Sequence, residues 1–588
     1  MLRGIVNEVI SCNSALSAFI HKDRLENDLH CFFIKLPLFI SLLVLLQHLI
    51  CCESIAKVPD KLASEIPEYA SGRIVDSIEI DNRNVFEVKG SRLRRFVFQL
   101  ANRLHWKTRE NVIRREVLFT VGEPFPVELA EETTRNLRNF LQLYDAWIET
   151  DTLTNGNLLV RVVTVDEWTL SIGPGFSREG NKSNFDLTAS DRNLFGLNKY
   201  LLLGYAFQDM DDDYFSGQFI NQRFFGRSVS IDTRYSDNPA ERIKKLAVYR
   251  PFYNLKQKST WDIIWGSSDN RQDIYNDSML IGQYRSKTEN FTLRFGRRFG
   301  SYHRKLMLSW MYIYNFEKAF DTVTISNNQQ DIEMVASALS HDSVYHVLGA
   351  RVIAANLNFA KLRQIDGIQY TEDFALGQTV DLTVGRAFLP GFRDHVWDRI
   401  DVRLSQGYRF LNNLAYITYS SELWFRSNEN LRKLTSLSLY YYSYQMDFVT
   451  FASHSSYYSD WRSDETEGVS LGGENGIRGY GTHFKTGNRR AVFNAELRFF
   501  PKLEILSAIF SPAVFIDGGR TWKQNEELSW RDFYFSGGIG LRTGIGHSSR
   551  DRIIRVDLTF SEYNRWQLSI GFKQYFEVRG TSLLLTTY

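Results

Sequence analysis

The chain has 588 residues, with 70 Lys and Arg against 68 Asp and Glu and a formal net charge of +2. So even a balance argues against nucleic acid as a partner and against an acidic disordered tail. Aromatic residues make up 14% and prolines number only 11, and the apolar residues are mostly scattered singly rather than gathered in helical stripes, the composition of many strands.

All four cysteines, Cys12, Cys31, Cys51 and Cys52, precede residue 53. Avoiding thiols elsewhere suits a chain that crosses an oxidising compartment. Leu36 to Ile50, preceded by Lys35, has the charged flank and apolar run of a secretory signal. At about 15 residues, interrupted by Gln47 and His48, it falls short of the ~20 that a spanning helix needs. Residues 1–57 are therefore read as an N-terminal extension and signal peptide. A membrane anchor and a lipid on Cys52 are the alternatives, although Leu49, Ile50 and Cys51 lack the small side chains that such a cleavage site prefers.

Residues 73–166 mix periods. A strand is expected over Ile74 to Ile80, helices around Leu93 to Leu104 and Thr108 to Leu118, and a third helix carrying Leu129, Thr133, Leu137, Phe140 and Leu141 on one stripe. Two strands follow, Tyr144 to Glu149 and Leu158 to Val165, joined through Asn155-Gly156. The segment resembles a polypeptide-transport-associated (POTRA) domain, whose order is strand, two helices and two strands, with a Gly-x-x-Phe signature before the second helix, here Gly122 to Phe125. Any other small α+β domain is the alternative reading. The resemblance implies a sheet edge offered to extended peptides, where main-chain pairing tolerates any client sequence.

Residues 168–577 read as strand after strand. In Arg489 to Phe500 the residues Ala491, Phe493, Ala495, Leu497 and Phe499 are apolar and Arg490, Asn494, Glu496 and Arg498 polar, with Val492 out of step. The same period of two separates Ile400, Val402 and Leu404 from Asp401, Arg403 and Ser405, and Ile554, Val556, Leu558 and Phe560 from Arg555, Asp557, Thr559 and Ser561. A charged face and an apolar face sustained over about 410 residues fit a wall between lipid and water. In lipid every backbone donor and acceptor must pair internally, so such a sheet has to close. The expectation is an all-β transmembrane barrel of about 16 antiparallel strands, with eighteen as an alternative, preceded by the one α+β domain. A soluble sandwich or propeller has similar turn spacing.

Seven glycines lie between Gly468 and Gly487, and within them stands Ile477-Arg478-Gly479-Tyr480. Further on, Phe515, Asp517 and Gly519 sit at i, i+2 and i+4 and so share one face; because Val514 and Ile516 suit lipid, that face is the lumen. A carboxylate in a confined lumen favours a cation, and an arginine offers it a two-pronged fork. Asp517 is thus a candidate lumenal partner for Arg478; the alternative for Arg478 is a solvated arginine in a surface turn.

These motifs resemble those of the outer-membrane assembly factors and two-partner-secretion transporters, a superfamily marked by a Val/Ile-Arg-Gly-Phe/Tyr tetrad on the sixth extracellular loop and Phe-x-Asp-x-Gly on a later strand; the resemblance implies that Ile477, Arg478, Gly479 and Tyr480 with Phe515, Asp517 and Gly519 form a lumenal lock. The corner Asp191, Asn193, Leu194, Gly196 and the run Gly537 to Arg542 are similar to family features as well. The resemblance implies a translocase or insertase in the bacterial outer membrane, its α+β domain in the periplasm, acting on unfolded or extended clients among outer-membrane lipid and periplasmic accessory proteins. It also implies a lateral seam between the first and last strands. Gly173, Pro174 and Gly175 on the first and Gly571 on the last, taken as Trp566 to Phe576, are its candidates, since Pro174 lacks a ladder donor; an ordinary barrel corner accounts for them equally. Residues 578–588 extend beyond the usual terminal aromatic and are read as a tail.

A passive porin or channel is the alternative function. A plugged nutrient receptor, which needs ~22 strands, is disfavoured by the length available. No Gly-x-Ser-x-Gly, His-Glu-x-x-His or phosphate-binding glycine loop occurs, and a lone histidine such as His547 does not make a site. No catalytic residue, metal site or cofactor is assigned.

Overall fold

The computed structural model of the protein describes residues 66–578, leaving out 87, 89–91, 141, 180–181, 209–212, 255, 339–342, 369, 390–391, 427–428, 463–468, 475, 502, 506–507, 525, 546–552 and 564–565. The expected signal peptide, all four cysteines, His547 and the tail beyond residue 578 lie outside the described residues. The rest falls largely in one compact unit, Pro59–Gln524 with Phe533–Tyr588.

That unit begins with β1 (Val75–Arg83), α1 (Arg92–Leu104), α2 (Glu110–Arg114), α3 (Val127–Arg138), β2 (Leu143–Thr152) and β3 (Leu158–Asp166). β3 lies centrally, parallel to β1 and antiparallel to β2. Gly122 and Gly156 take positive φ, +87° and +83°, where a side chain would be strained. Gly156 thereby turns β2 into β3. Gly122 lets the chain double back, so that its N–H reaches the Val75 carbonyl at 2.8 Å and Phe125 N–H the Arg73 carbonyl at 2.8 Å. Phe125 then enters a core with Val75, Ile113, Leu137, Val160 and Val162.

From Leu170 to Phe572 antiparallel strands follow one another. Among the described residues the sheet holds twenty-one strands, of which Glu504–Ile505 is only two residues long. The expected sixteen is therefore exceeded. The early connections are short: six strands of ordinary spanning length fit between Leu170 and Arg250, linked by tight turns such as Leu194–Gly196 and Phe224–Gly226. The length argument against a plugged receptor falls with it, because this chain builds a ring of comparable strand number.

Alternation sets the faces. Val514 and Ile516 are 48% and 50% exposed while Phe515 between them and Asp517 after them are buried, and Ile539, Leu558 and Phe560 extend the exposed apolar band across adjacent strands. Val492, out of step in sequence, points inward, where its methyls face Gly476. No helix among the described residues is long and apolar enough to cross a membrane; the exposed apolar band of the ring belongs to its strands.

The strand order returns on itself and sets the last strand beside the first. Every other neighbouring pair of long strands shares a paired register; among the described residues these two share none. The last strand is shorter than expected. It ends at Phe572 rather than Phe576, and Lys573, at φ +64°, turns the chain out of the sheet.

The α+β segment is fastened to the turns at the end of the ring where the chain enters. Arg138 grips Asp373 through Nε at 2.6 Å and Nη2 at 2.5 Å, both buried. Arg223 similarly holds Glu116 through Nε at 2.8 Å, and Asn193 Nδ2 donates to the Trp106 carbonyl at 2.8 Å. Burial raises the Glu116 carboxyl above its ordinary range, and Arg223 opposes that shift. Replacing Arg138 or Asp373 by Ala leaves the other charge buried without its partner, a loss of ~3–5 kcal/mol. Limited proteolysis of either variant should release the α+β segment under conditions in which the parent protein stays intact, while the ring keeps its heat-modifiable gel migration.

Candidate functional site: a charged lumen

The strands Arg489–Phe499, Ala508–Trp522, Tyr534–Ile545 and Ile554–Ser561 stand side by side. Their inward residues bring Asn494, Glu496 and Arg498 next to Phe515 and Asp517, and Arg542 next to Arg555 and Asp557. Onto this charged wall folds the glycine-rich loop.

Arg478 is 3% exposed. Its Nε and Nη2 donate to the two oxygens of Asp517 at 2.7 and 2.8 Å, and its backbone N–H adds a third bond to Oδ2 at 3.1 Å. Nη1 donates to Glu496 Oε1 at 2.6 Å and lies 3.5 Å from Asp557 Oδ2. The guanidinium plane is sandwiched between the Phe515 ring, 3.6 Å from its centroid, and that of Tyr575, at 4.2 Å. Three carboxylates around one guanidinium would be short of positive charge. Arg542 supplies it, donating to Asp557 at 2.5 Å and Glu496 at 3.1 Å, as does Arg498, 2.9 Å from Glu496.

The glycines permit this approach. Gly476 and Gly479 have φ of +120° and +81°, and a Cβ at either would come within 2.5 Å of Val492 Cγ2 or 2.6 Å of Thr559 Cγ2. Opposite, a Cβ on Gly519 would meet Ile477 Cγ2 at 2.9 Å. Ile477 and Tyr480 are buried with Leu471, Phe484 and Val492, and the Tyr480 hydroxyl donates to the Phe535 carbonyl at 2.9 Å. The seven candidate lock residues therefore occupy one continuous place.

The seam candidates lie apart from them. Gly173, Pro174 and Gly175 are on the first strand, paired with Thr188, Leu187 and Asp186. Gly571 does not interrupt the last strand; it lies within it, and its missing side chain makes room for Arg555, whose Nη2 would be 2.7 Å from a Cβ there. Arg555 in turn pairs with Asp557 at 3.1 Å and with Glu474 at 2.7 Å, so this glycine serves the lumenal charges.

Sequence reasoning missed most of the cluster: Asn494, Glu496, Arg498, Arg542, Arg555, Asp557 and Asp366. It also missed the end of the chain. After Phe572 the segment turns into the lumen, where the Tyr575 hydroxyl donates to the Gly473 carbonyl at 2.7 Å, Arg498 Nη2 to the Phe576 carbonyl at 2.8 Å, and Val578 N–H to Asp366 at 3.0 Å. Phe576 packs with Phe374, Tyr416 and Tyr442. The inward polar positions were readable as a period of two, but only the strand register shows which of them meet. Among the described residues no group of three or more potential metal ligands occurs.

Arg478→Ala and Asp517→Ala should each lower stability by ~3–5 kcal/mol in a urea titration of the refolded protein, and Arg478→Lys should not restore it, because an ammonium cannot reach both oxygens of Asp517 together with Glu496. Gly479→Ala should lose at least the ~1–2 kcal/mol of a left-handed alanine, and Thr559→Ser in the same protein should recover the steric part.

No protein family matches the sequence, and no curated protein does. Solved structures similar to this chain include BamA from Haemophilus ducreyi lacking POTRA domains 1–3, at 12% identity over 84% of this chain and 83% of that one, with a TM-score of 0.35. CdiB from Escherichia coli is similar at 14% identity over 85% and 76%, with a TM-score of 0.39. The siderophore receptor PirA from Pseudomonas aeruginosa is similar at 11% over 69% and 78%, with a TM-score of 0.33. Likeness at this level, shared by BamA, CdiB and a siderophore receptor, assigns no activity.

Proposed function

We propose that the chain is an outer-membrane β-barrel translocase or insertase that handles extended client polypeptides, with its POTRA-like α+β segment in the periplasm. The observation that carries this reading is the filled lumen: a loop from one end and the chain's own C-terminal segment from the other meet on a buried charge cluster. A pore for passive diffusion needs an open, water-filled channel. Here Arg478, Phe484 and Phe576 are buried inside the ring instead.

Two further features support the reading. The first and last strands are neighbours in the ring, and parting them would present backbone donors and acceptors of the kind that template an incoming strand. The α+β segment sits at the entry end with a three-stranded sheet, in which β1 and β2 form the edges, and such edges take up extended peptides irrespective of sequence. No catalytic residue or cofactor enters this function. Its partners would be outer-membrane lipid, the client polypeptides and periplasmic accessory proteins.

Depletion in the native host followed by quantitative proteomics of the outer membrane tests the proposal. Loss of a set of barrel proteins is the result expected of an insertase, and loss of one exported protein that of a secretion channel. An unchanged proteome with reduced uptake of small solutes would overturn both in favour of a porin. In planar bilayers the parent protein should conduct weakly, and Arg478→Ala should raise the conductance.

A further inference from the structure

Helix α1 is amphipathic in an unexpected sense: its apolar stripe faces out. Phe98, stacked on Phe86 at 4.9 Å, and Asn102, whose side chain binds the Phe86 backbone on both sides, make the inward face. On the opposite side Leu93, Phe96, Val97, Leu100 and Leu104 are 48–71% exposed. At 100° per residue these five positions form a stripe roughly 100° wide, as broad as one that normally packs on a core. Arg92, Arg95 and Arg103 flank it, all exposed. From Val88 to Arg109 the sequence carries five arginines, two lysines and no acidic residue.

The stripe continues onto the ring. Trp106, just past the helix, is half exposed and packs edge-on against Phe195 at 5.1 Å. Phe195 belongs to the turn that joins the second and third strands of the ring and is itself 48% exposed, beneath the outward apolar residues Leu187 and Leu203. Arg109 fixes this junction by donating to the Gly196 and Phe195 carbonyls at 3.0 Å each.

We infer that α1 lies in the membrane surface, its leucine and phenylalanine stripe sunk among the acyl chains of the periplasmic leaflet and its arginines on anionic phospholipid headgroups. A basic helix with a bulky apolar face and low net hydrophobicity is the type that rests in an interface rather than spanning it. Continuity with the apolar band of the ring and the excess of positive charge select lipid over a protein partner. Anchored there, the α+β segment is held at the bilayer beside the first hairpin, where a client edge would be received. The inference rests on the ring being embedded in a membrane.

The full chain, with its four cysteines replaced by serine, is given single cysteines at Phe96, Leu100, Gln99 or Ile539 and labelled with an environment-sensitive fluorophore. It is then reconstituted into vesicles of phosphatidylethanolamine and phosphatidylglycerol containing a nitroxide-labelled lipid. Labels at 96 and 100 should lose fluorescence to the nitroxide as strongly as the label at 539 on the ring's outer face, whereas the label at 99 should answer to iodide in the water. Quenching at 539 with iodide-accessible labels at 96 and 100 would overturn the inference alone. Labels at 96 and 100 shielded from both quenchers would overturn it in favour of a protein surface over the stripe. Absence of nitroxide quenching at 539 would overturn the membrane reading of the ring itself. Variants at 96 and 100 that lose heat-modifiable migration are replaced by cysteines at Leu93 and Leu104, for which the same results are expected.

Discussion

The structure depends on one arrangement: charges of both signs held in a lumen where water is scarce. Arg478 is placed by Asp517, Asp517 by Arg478 and by Asn494 Nδ2 at 2.9 Å, and Glu496 is shared among Arg478, Arg498 and Arg542. Each member is tolerable only because the others are present. Attraction between buried charges roughly offsets the loss of hydration, so the cluster adds little net stability. It specifies instead: a loop with glycines at 472, 473, 476 and 479 has one place in which its arginine is satisfied.

The same cluster joins elements that are otherwise distant. Arg498 reaches from the loop's anchor to the entry end of the ring, donating to Asp366 and to the Ile365 carbonyl at 2.9 Å and also to the C-terminal segment at Phe576. Asp366 receives the Tyr442 hydroxyl at 2.9 Å and the Val578 N–H. Loop, wall and chain end thus form one hydrogen-bonded interior. The residues that follow the last strand are the ones that stack on Arg478 and bind Arg498.

The α+β segment repeats the principle on a smaller scale. Arg138 belongs by sequence to α3 but also donates to the Ala146 carbonyl at 2.6 Å, while its other nitrogens hold Asp373 of the ring. A bidentate arginine fixes orientation as well as distance, which turns a short tether between Asp166 and Leu170 into a defined mount.

The sequence by itself determined local matters. Period-two alternation decides which way Val514, Ile516 and Asp517 point, the Asn155-Gly156 signal places a turn, and helical spacing marks Leu129, Thr133 and Leu137. These are properties of neighbours within a few residues. What only the tertiary structure decided is long-range: a strand count above twenty among the described residues, the inward turn after Phe572, the company of Glu496, Asp557 and Arg542 around Arg478, and the outward stripe of α1. The physical reason is that alternation fixes a face but not a register, and sliding a strand by two residues preserves every inward and outward assignment while changing all its partners. Likewise an amphipathic helix shows in sequence that it has an apolar side, and the fold decides whether that side meets a core or is left for something outside the chain.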